Sequence, residues 1–337
     1  MPVNRQWVLR RRPVGEIAPG DLEFVEAPIR PIEPGEILVR NVYLSLDPTN
    51  RIWMSDQDQY LPPVNLGEVM RGGTIGVVET SRSDRFRQGD LVNAGLSGWQ
   101  SHSIVHEAMA SPAPQLPGVP LTAWMSVLGA TGLTAYFGMT DIGRPQPGET
   151  VVVSAAAGAV GSIAGQIAKL KGARVVGIAG GPAKCAWLTG ELGFDGAVDY
   201  RNEDVGAALD RLCPDGIDVN FENVGGPVMN AVVARMNTFS RMPLCGLISG
   251  YNAERAAGPE DFGRILMKRV LVRGFIVIDY LPRAAEAMAE LIPWVLEGRL
   301  KWKAHVVEGL ENAAEAVNRL FTGDHQGKLL VRVSPEP

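Results

Sequence analysis

Residues 154–162 read SAAAGAVGS, between the apolar run Thr150-Val151-Val152-Val153 and the stretch IAGQIAKLKGARVVGIAG. This is close to a dinucleotide-binding loop, but in place of G-x-G-x-x-G it reads Ala156-x-Gly158-x-x-Gly161. The loop follows a predicted strand and opens a predicted helix, as that motif requires. Gly158 lets the backbone approach a pyrophosphate, and Gly161 lets helix and strand pack closely. The helix N-terminus offers unpaired N–H groups and a positive dipole end to phosphates. Alanine at the first glycine position demands φ < 0 there and leaves the mechanism intact. Small residues also serve tight packing, so it is the strand–loop–helix context that favours nucleotide binding.

The next strand discriminates between cofactors. An NAD site needs Asp or Glu about 20 residues after the loop to hold the ribose hydroxyls. Here the strand runs into VVGIAGGPAKC and the acid is absent. Ala179, Gly180 and Gly181 leave room, and Lys184 follows within a turn. A 2′-phosphate fits small residues plus a cation, so the pattern favours NADP. The plain alternative for Lys184 is a solvated lysine in the first turn of a helix.

Two tyrosines are candidate hydrogen-bond donors at an active site: Tyr251 in ISGYN and Tyr280 in VIDY. Tyr251 follows an apolar strand, which places it at the rim of a crevice. A tyrosine there is an apolar wall with a polar tip, or simply a packing residue. Tyr43, Trp53 and the 251–263 loop are candidate pocket residues, with Trp53 equally readable as core. Metal chemistry is disfavoured. The cysteines are Cys185, Cys213 and Cys245, with no C-x-x-C pair and none before position 185. His102, His106 and His305 have no soft partner at ligand spacing.

The elements that must position these residues fall into two textures. Up to about residue 122 the chain is rich in Pro, Gly and short β-branched runs: EILVRNVYLSL, TIGVVETS, DLVNAGLS and SHSIVHE read as strands. From about residue 123, apolar strands alternate with helical patterns. Helices are expected over GSIAGQIAKLKG, AKCAWLTGELG, EDVGAALDRLC and VMNAVVARM, and strands at TVVVSA, RVVGIAG, GAVDY, IDVNFENV, RMPLCGLIS and VLVRGFIVI. Such alternation implies a parallel, doubly wound sheet. The segment HQGKLLVRVSP reads as a strand returning to the first half. The expected division is 1–122, 123–305 and 306–337.

The chain has 337 residues, 46% hydrophobic and 20% charged, with a net charge of −5. That is an ordinary globular balance, with no signature of a polyanion partner. Arg10-Arg11-Arg12 is the strongest basic cluster and reads as a solvated face. No stretch approaches the roughly 18 apolar residues of a membrane span, and the N-terminus lacks an apolar signal segment. An odd number of scattered cysteines fits a reducing compartment. A soluble, cytoplasmic protein binding neither nucleic acid nor membrane is expected.

Several long stretches resemble a known family: LSLDPTNRIWM (44–54), GATGLTAYFGM (129–139), 154–181, ELGFDGAVDY (191–200), NFENVGG (220–226), PLCGLISGYN (243–252) and GFIVIDY (274–280). The chain is similar to the zinc-independent medium-chain dehydrogenase/reductase proteins. Within them it resembles the branch of leukotriene B4 dehydrogenase/prostaglandin reductase, alkenal double-bond reductases and curcumin-type reductases. The resemblance implies an α/β architecture, with a GroES-like β-rich catalytic domain, a Rossmann cofactor domain and a homodimer. It implies NADPH-dependent reduction of the carbon–carbon double bond of α,β-unsaturated carbonyls. Cofactor contacts carry over to Thr134, to Ala157, Gly158, Ala159, Val160 and Gly161 in the loop, to Gly180, Gly181 and Lys184 at the 2′-phosphate, to Tyr200 beside the adenosine, and to Asn223. The zinc-dependent relatives need a Cys and G-H-E, and here the latter region reads Arg71-Gly72-Gly73.

The chain departs from the family at three positions. Thr49 stands where a tyrosine often follows Asp-Pro, which puts substrate preference in doubt. His325, in GDHQGK, replaces an asparagine expected near the nicotinamide. Met267 stands where some relatives carry tyrosine. Reduction of a conjugated alkene needs no Lewis acid: hydride adds to the β-carbon and a few donors can stabilise the enolate oxygen. The alternatives are an NADPH quinone reductase of the same superfamily and a catalytically silent nucleotide-binding protein.

Overall fold

The computed structural model describes residues 3–253 and 258–337. It forms two compact units, one from the chain up to Met125 together with Ala304–Pro337, the other from Ser126–Lys303.

The first unit is β-rich. Strands β1 (Val3–Leu9) and β2 (Leu22–Pro28) make an antiparallel hairpin. On it, Arg10 and Arg11 of the basic cluster pair with Glu23 and Asp21. Strand β3 (Glu36–Ser45) is mostly buried, as its nearly continuous apolar run requires, and is followed by helix α1 (Thr49–Trp53). Strands β4 (Thr74–Ser81), β5 (Leu91–Asn93), β6 (His102–His106) and β7 (Ser111–Pro112) complete the first stretch. Both β4 and β6 pair antiparallel with β3. The strand expected over DLVNAGLS ends early. Gly95 turns to φ 64 and gives its N–H to the Asn93 side chain at 2.9 Å, which leaves the ladder.

The second unit alternates strictly. It contains α2 (Ala130–Phe137), β8 (Thr150–Val153), α3 (Ala159–Leu170), β9 (Arg174–Ala179), α4 (Pro182–Gly190), β10 (Gly196–Asp199) and α5 (Val205–Leu212). It continues through β11 (Ile217–Phe221), α6 (Gly226–Val233), β12 (Met236–Leu244), α7 (Phe262–Lys268), β13 (Leu271–Gly274) and α8 (Ala284–Leu296). The six strands are parallel, in the order β10-β9-β8-β11-β12-β13. Counting β8 as first, this is 3-2-1-4-5-6, the dinucleotide-fold order. The order reverses between β8 and β11, so a crevice opens at their C-terminal ends, where such sheets bind ligands. On α3, Ile163 and Ile167 are fully buried against the sheet, as the periodicity predicts.

Two strands differ from expectation. The strand over RMPLCGLIS starts earlier and stops at Leu244: the Cys245 N–H still continues the parallel ladder to the Glu222 carbonyl at 2.9 Å, but the Gly246 N–H turns back to that same carbonyl at 3.1 Å. The strand over VLVRGFIVI stops at Gly274, and Val277–Arg283 is a 3-10 segment. The chain leaves the sheet there to pack Phe275 edge-on to Phe221 and to stack Tyr280 on Phe137.

The chain then returns to the first unit with β14 (Ala304–Glu308) and β15 (Lys328–Arg332). Strand β15 pairs antiparallel with β3, so the C-terminal strand completes the N-terminal sheet. Among the described residues no helix is long and apolar enough to cross a membrane.

Candidate functional site

The loop between β8 and α3 lies at the switch point of the sheet. Gly158 caps α3 with extended backbone (φ −81, ψ 177), and no side chain caps the helix. The first N–H groups of an α-helix lack intrahelical partners, so those of Ala159, Val160 and Gly161 suit an anion. Ala157 and Gly161 are buried, and Gly158, Ala159 and Val160 half-buried. A Cβ on Gly161 would meet the Ala155 carbonyl oxygen at 2.5 Å, so only glycine lets the helix start this close to the loop. Ala156 keeps negative φ, but Ala155 takes φ 47. The left-handed turn that a glycine would make easily falls instead on an alanine. These residues form a cradle of small side chains and backbone donors that fits a pyrophosphate.

The tip of β9 carries no acid. Gly181 adopts φ 93 and caps α4. Its N–H goes to Asp199 Oδ1 at 2.7 Å. Asp199 also accepts from Asn202 Nδ2 at 2.7 Å and from Arg201 N at 3.2 Å. The Gly181 hydrogen bond, then that of Asn202, hold its carboxyl below the usual carboxylate range. The acid expected in an NAD site is thus replaced by one from the neighbouring strand whose oxygens are engaged in shaping the turn. Tyr200 and Arg201 lie against Gly180, whose Cβ would come within 2.9 Å of both. Arg201 sits 6.0 Å from the Tyr200 ring centroid. Gly180, Gly181, Tyr200 and Arg201 therefore share one corner, with Lys184 on the first turns of α4. Sequence reasoning missed Arg201 and Asp199; their adjacency to Tyr200 at the end of β10 was the available signal.

At the end of β11, Asn223 gives its N–H to Ser154 Oγ at 2.8 Å and its Nδ2 hydrogen to the Ser154 carbonyl at 2.7 Å. Asn223 is thereby joined to the phosphate loop. Its neighbour Glu222 was also missed, because a charged residue inside ENVGG gives no sign of being buried. Thr134, on α2, donates to the Ala130 carbonyl at 2.7 Å.

Both candidate tyrosines belong to the second unit. The Tyr251 hydroxyl accepts from Leu247 N at 3.1 Å, and a Cβ on Gly246 would lie 3.0 Å from it. It therefore sits just past the C-terminal end of β12, at the crevice end of the sheet. Residues 254–257 of the loop that follows lie outside the described residues. Tyr280 is buried, its ring 4.6 Å from Phe137 in a stacked arrangement, and its hydroxyl has no hydrogen-bond partner among the described residues.

The remaining candidates belong to the first unit. Tyr43 is 1% exposed within an apolar cluster, with its hydroxyl on the Glu336 carboxylate and 3.1 Å from Arg332 Nη2. The structure makes it a core residue rather than a pocket wall, because β3 is covered on both faces. Trp53 also joins the core, as its alternative reading allowed. Thr49 meets the Tyr60 hydroxyl with its own at 2.5 Å. Tyr60 borders a hollow of about 440 Å³ formed by residues 56–63, and burial pushes its phenol pKa up. Arg71 lies 5.4 Å from the Trp53 ring centroid. His325 donates from Nδ1 to the Arg319 carbonyl at 3.0 Å. Met267 is exposed on α7.

Comparison with known proteins gives consistent likenesses. Residues 5–112 match the family described as N-terminal domain of oxidoreductase, and residues 159–297 the family described as zinc-binding dehydrogenase. The chain is 43% identical to the NADPH-dependent curcumin reductase of Escherichia coli, over 98% of this chain and 97% of that protein. It is 37% identical to the NADP-dependent 2-alkenal reductase of Nicotiana tabacum, over 99% and 98%. Among solved structures, CurA of Vibrio vulnificus in complex with NADPH matches with a TM-score of 0.93 and 42% identity, over 98% of this chain and 100% of that one.

Proposed function

Given that the chain belongs to the zinc-independent branch of the medium-chain dehydrogenase/reductase family and is an NADP-dependent oxidoreductase, we propose that it reduces the carbon–carbon double bond of α,β-unsaturated ketones and aldehydes. The observation that carries this reading is full-length similarity to relatives named for curcumin and 2-alkenal reduction, 2-alkenals being α,β-unsaturated aldehydes.

When bound, NADPH supplies the hydride. The residues of this chain bind and orient it. The α3 N-terminus and loop 157–161 would hold the pyrophosphate, and Lys184 and Arg201 would hold the 2′-phosphate in the space left by Gly180 and Gly181. Tyr200 would flank the adenosine. With hydride delivered to the substrate β-carbon, negative charge would collect on the carbonyl oxygen, and the α-carbon would take its proton from water. Tyr251 donates to that oxygen, a role that a preorganised hydroxyl performs without reorganisation. Tyr280 is the second candidate. Thr49 and Tyr60 shape substrate preference.

The working form is a homodimer in the cytoplasm. Strand β13 is a sheet edge with all four residues exposed. Phe239, Phe262, Leu266 and Met267 add exposed apolar surface to the same unit. Unpaired edges and exposed apolar side chains are features that association covers. A second copy of the chain, edge to edge about a two-fold axis, covers both at once. Light scattering after gel filtration should give twice the chain mass, and Val272→Lys should shift it towards the monomer.

The function is tested by following NADPH oxidation over enals, enones, quinones and saturated aldehydes, with products identified. Saturated ketones or aldehydes should form from the first two classes. Turnover of quinones with no reduction of any enone or enal would overturn the reading.

A further inference from the structure

Glu222 has no exposed surface, and its carboxylate is met by donors. Ser154 Oγ lies at 2.9 Å, Asn220 Nδ2 at 2.9 Å, Val224 N at 2.7 Å and Gly225 N at 2.8 Å. A buried carboxylate is tolerated only with such compensation. Three of these donors converge on one oxygen, Oε1. One of them, Ser154, is the first residue of the loop SAAAGAVGS.

The next residue of that loop is strained. Ala155 has φ 47, the left-handed region that a Cβ disfavours. Its carbonyl accepts from Gly158 N at 2.9 Å and is the atom closest to the space above Gly161. Ala156 N is fixed to the Ile178 carbonyl at 2.9 Å. The conformation of Ala155 therefore decides where the start of α3 lies. Such a residue keeps a strained backbone only where its surroundings over-determine it. On its upstream side the surroundings are Ser154, tied through Oγ to Glu222 and through both Oγ and its carbonyl to Asn223.

We propose that Glu222 is the positioning residue of the cofactor loop: by holding Ser154 it keeps Ala155 left-handed, and so keeps the phosphate cradle shaped before NADPH arrives. This rests on the NADPH-binding reading above. Glu222 touches neither cofactor nor substrate in this role; it acts through Ser154.

The test is a double-mutant cycle read by NADPH fluorescence titration, with thermal midpoints measured without cofactor. Glu222→Ala should weaken NADPH binding by about ten- to a hundredfold, the scale of lost preorganisation. Glycine adopts positive φ at no steric cost. Ala155→Gly should therefore restore at least about fivefold of affinity in the Glu222→Ala background and clearly less in the unmutated one, the coupling expected of residues in one network. Ser154→Ala removes the link with a minimal change; it should show the same coupling, and it carries the test if Glu222→Ala fails to fold. Glu222→Gln should bind NADPH within a few-fold of the unmutated protein. Its Oε1 can keep the three donors, while its Nε2–H can donate to Asn220 once that amide turns over from presenting Nδ2 to presenting Oδ1, a buried acceptor with no partner among the described residues. The proposal is overturned if Glu222→Ala lowers the midpoint but leaves NADPH affinity unchanged, if Ala155→Gly has the same effect in every background, or if Glu222→Gln binds as weakly as Glu222→Ala. Failure of the unmutated protein to bind NADPH would instead remove the reading beneath it, and needs no variant to be seen.

Discussion

Lys328 Nζ lies 2.7 Å from Asp47 Oδ1, across 281 residues of sequence. The same ammonium donates to the Leu46 carbonyl at 2.7 Å and its side chain is 2% exposed. The lysine of GDHQGK thus holds the aspartate of LSLDP, just ahead of Thr49.

Removing the acid should hurt more than removing the base. Asp47→Ala leaves a buried ammonium with one carbonyl partner, whereas Lys328→Met leaves a carboxylate that still reaches solvent. Breaking a buried pair costs about 3–5 kcal/mol; the partial exposure of Asp47 reduces this to about 2 kcal/mol. In a unit of this size that lowers the thermal midpoint by about 4–8 °C. Calorimetry that finds Lys328→Met the more destabilising would show that the pair is not held as described.

Cofactor preference should depend on two cations. A charge-assisted phosphate contact contributes about 1.5–3 kcal/mol, or about ten- to more than a hundredfold in affinity. Lys184→Ala and Arg201→Ala should each raise the KM for NADPH far more than that for NADH. Equal efficiency with both cofactors in the unmutated protein would exclude a 2′-phosphate site at this corner.

The two tyrosines can be told apart by deleting one oxygen atom. Tyr251→Phe should slow hydride transfer in a single turnover by about ten- to a thousandfold, with NADPH affinity nearly unchanged. A modest loss of stability is expected, because the Leu247 N–H loses its acceptor. Tyr280→Phe removes a buried hydroxyl without a partner among the described residues, so stability should hold or rise by about 1 kcal/mol. Single-turnover measurement matters because product release can mask chemistry in kcat. An unimpaired Tyr251→Phe beside a slow Tyr280→Phe would reverse the assignment.

Thiol reactivity should follow burial. Desolvation pushes the Cys213 thiol up to about 11 and the Cys245 thiol up to about 12. The reactive species is the thiolate; at pH 8 it is only about one in a thousand and one in ten thousand of these groups respectively. Cys185, on α4, is partly accessible, and burial raises its thiol as well. Iodoacetamide at pH 8 should therefore label the native protein slowly and at Cys185 first. The rate should climb towards alkaline pH, because a raised thiol pKa delays the thiolate. Cys245 is partly accessible too, so its raised thiol is what holds it back; mass spectrometry that finds it labelled first would contradict that shift.

Much of the cofactor unit is legible in the sequence because its signals are local. Apolar runs of four to six residues, helical spacing at Ile163 and Ile167, and glycines at a strand–helix junction each act within a dozen residues of themselves. The missing acid after β9 and the nearby Lys184 are equally local. The boundaries of β12 and β13 were not legible, because they end where Glu222 captures two backbone N–H groups and where Tyr280 finds Phe137, partners far away in the chain.

What the sequence determines by itself is the order of elements, the character of the nucleotide loop and the preference for a phosphate-bearing cofactor, since each follows from residue type and short-range geometry. Tertiary structure decides the rest. It puts the left-handed turn on Ala155 rather than Ala156, buries Tyr43 in a sheet core, pairs Thr49 with Tyr60, and brings Arg201 and Asp199 to the turn after β9. Above all, it makes Glu222 the acceptor of four donors, one of them 68 residues away. Spacing gives none of these: Thr49 and Tyr60 meet through a loop, Tyr43 is covered by the packing around β3, and the contacts of Arg201, Asp199 and Glu222 depend on which strand folds beside which, parallel neighbours in a doubly wound sheet being joined only through long crossovers.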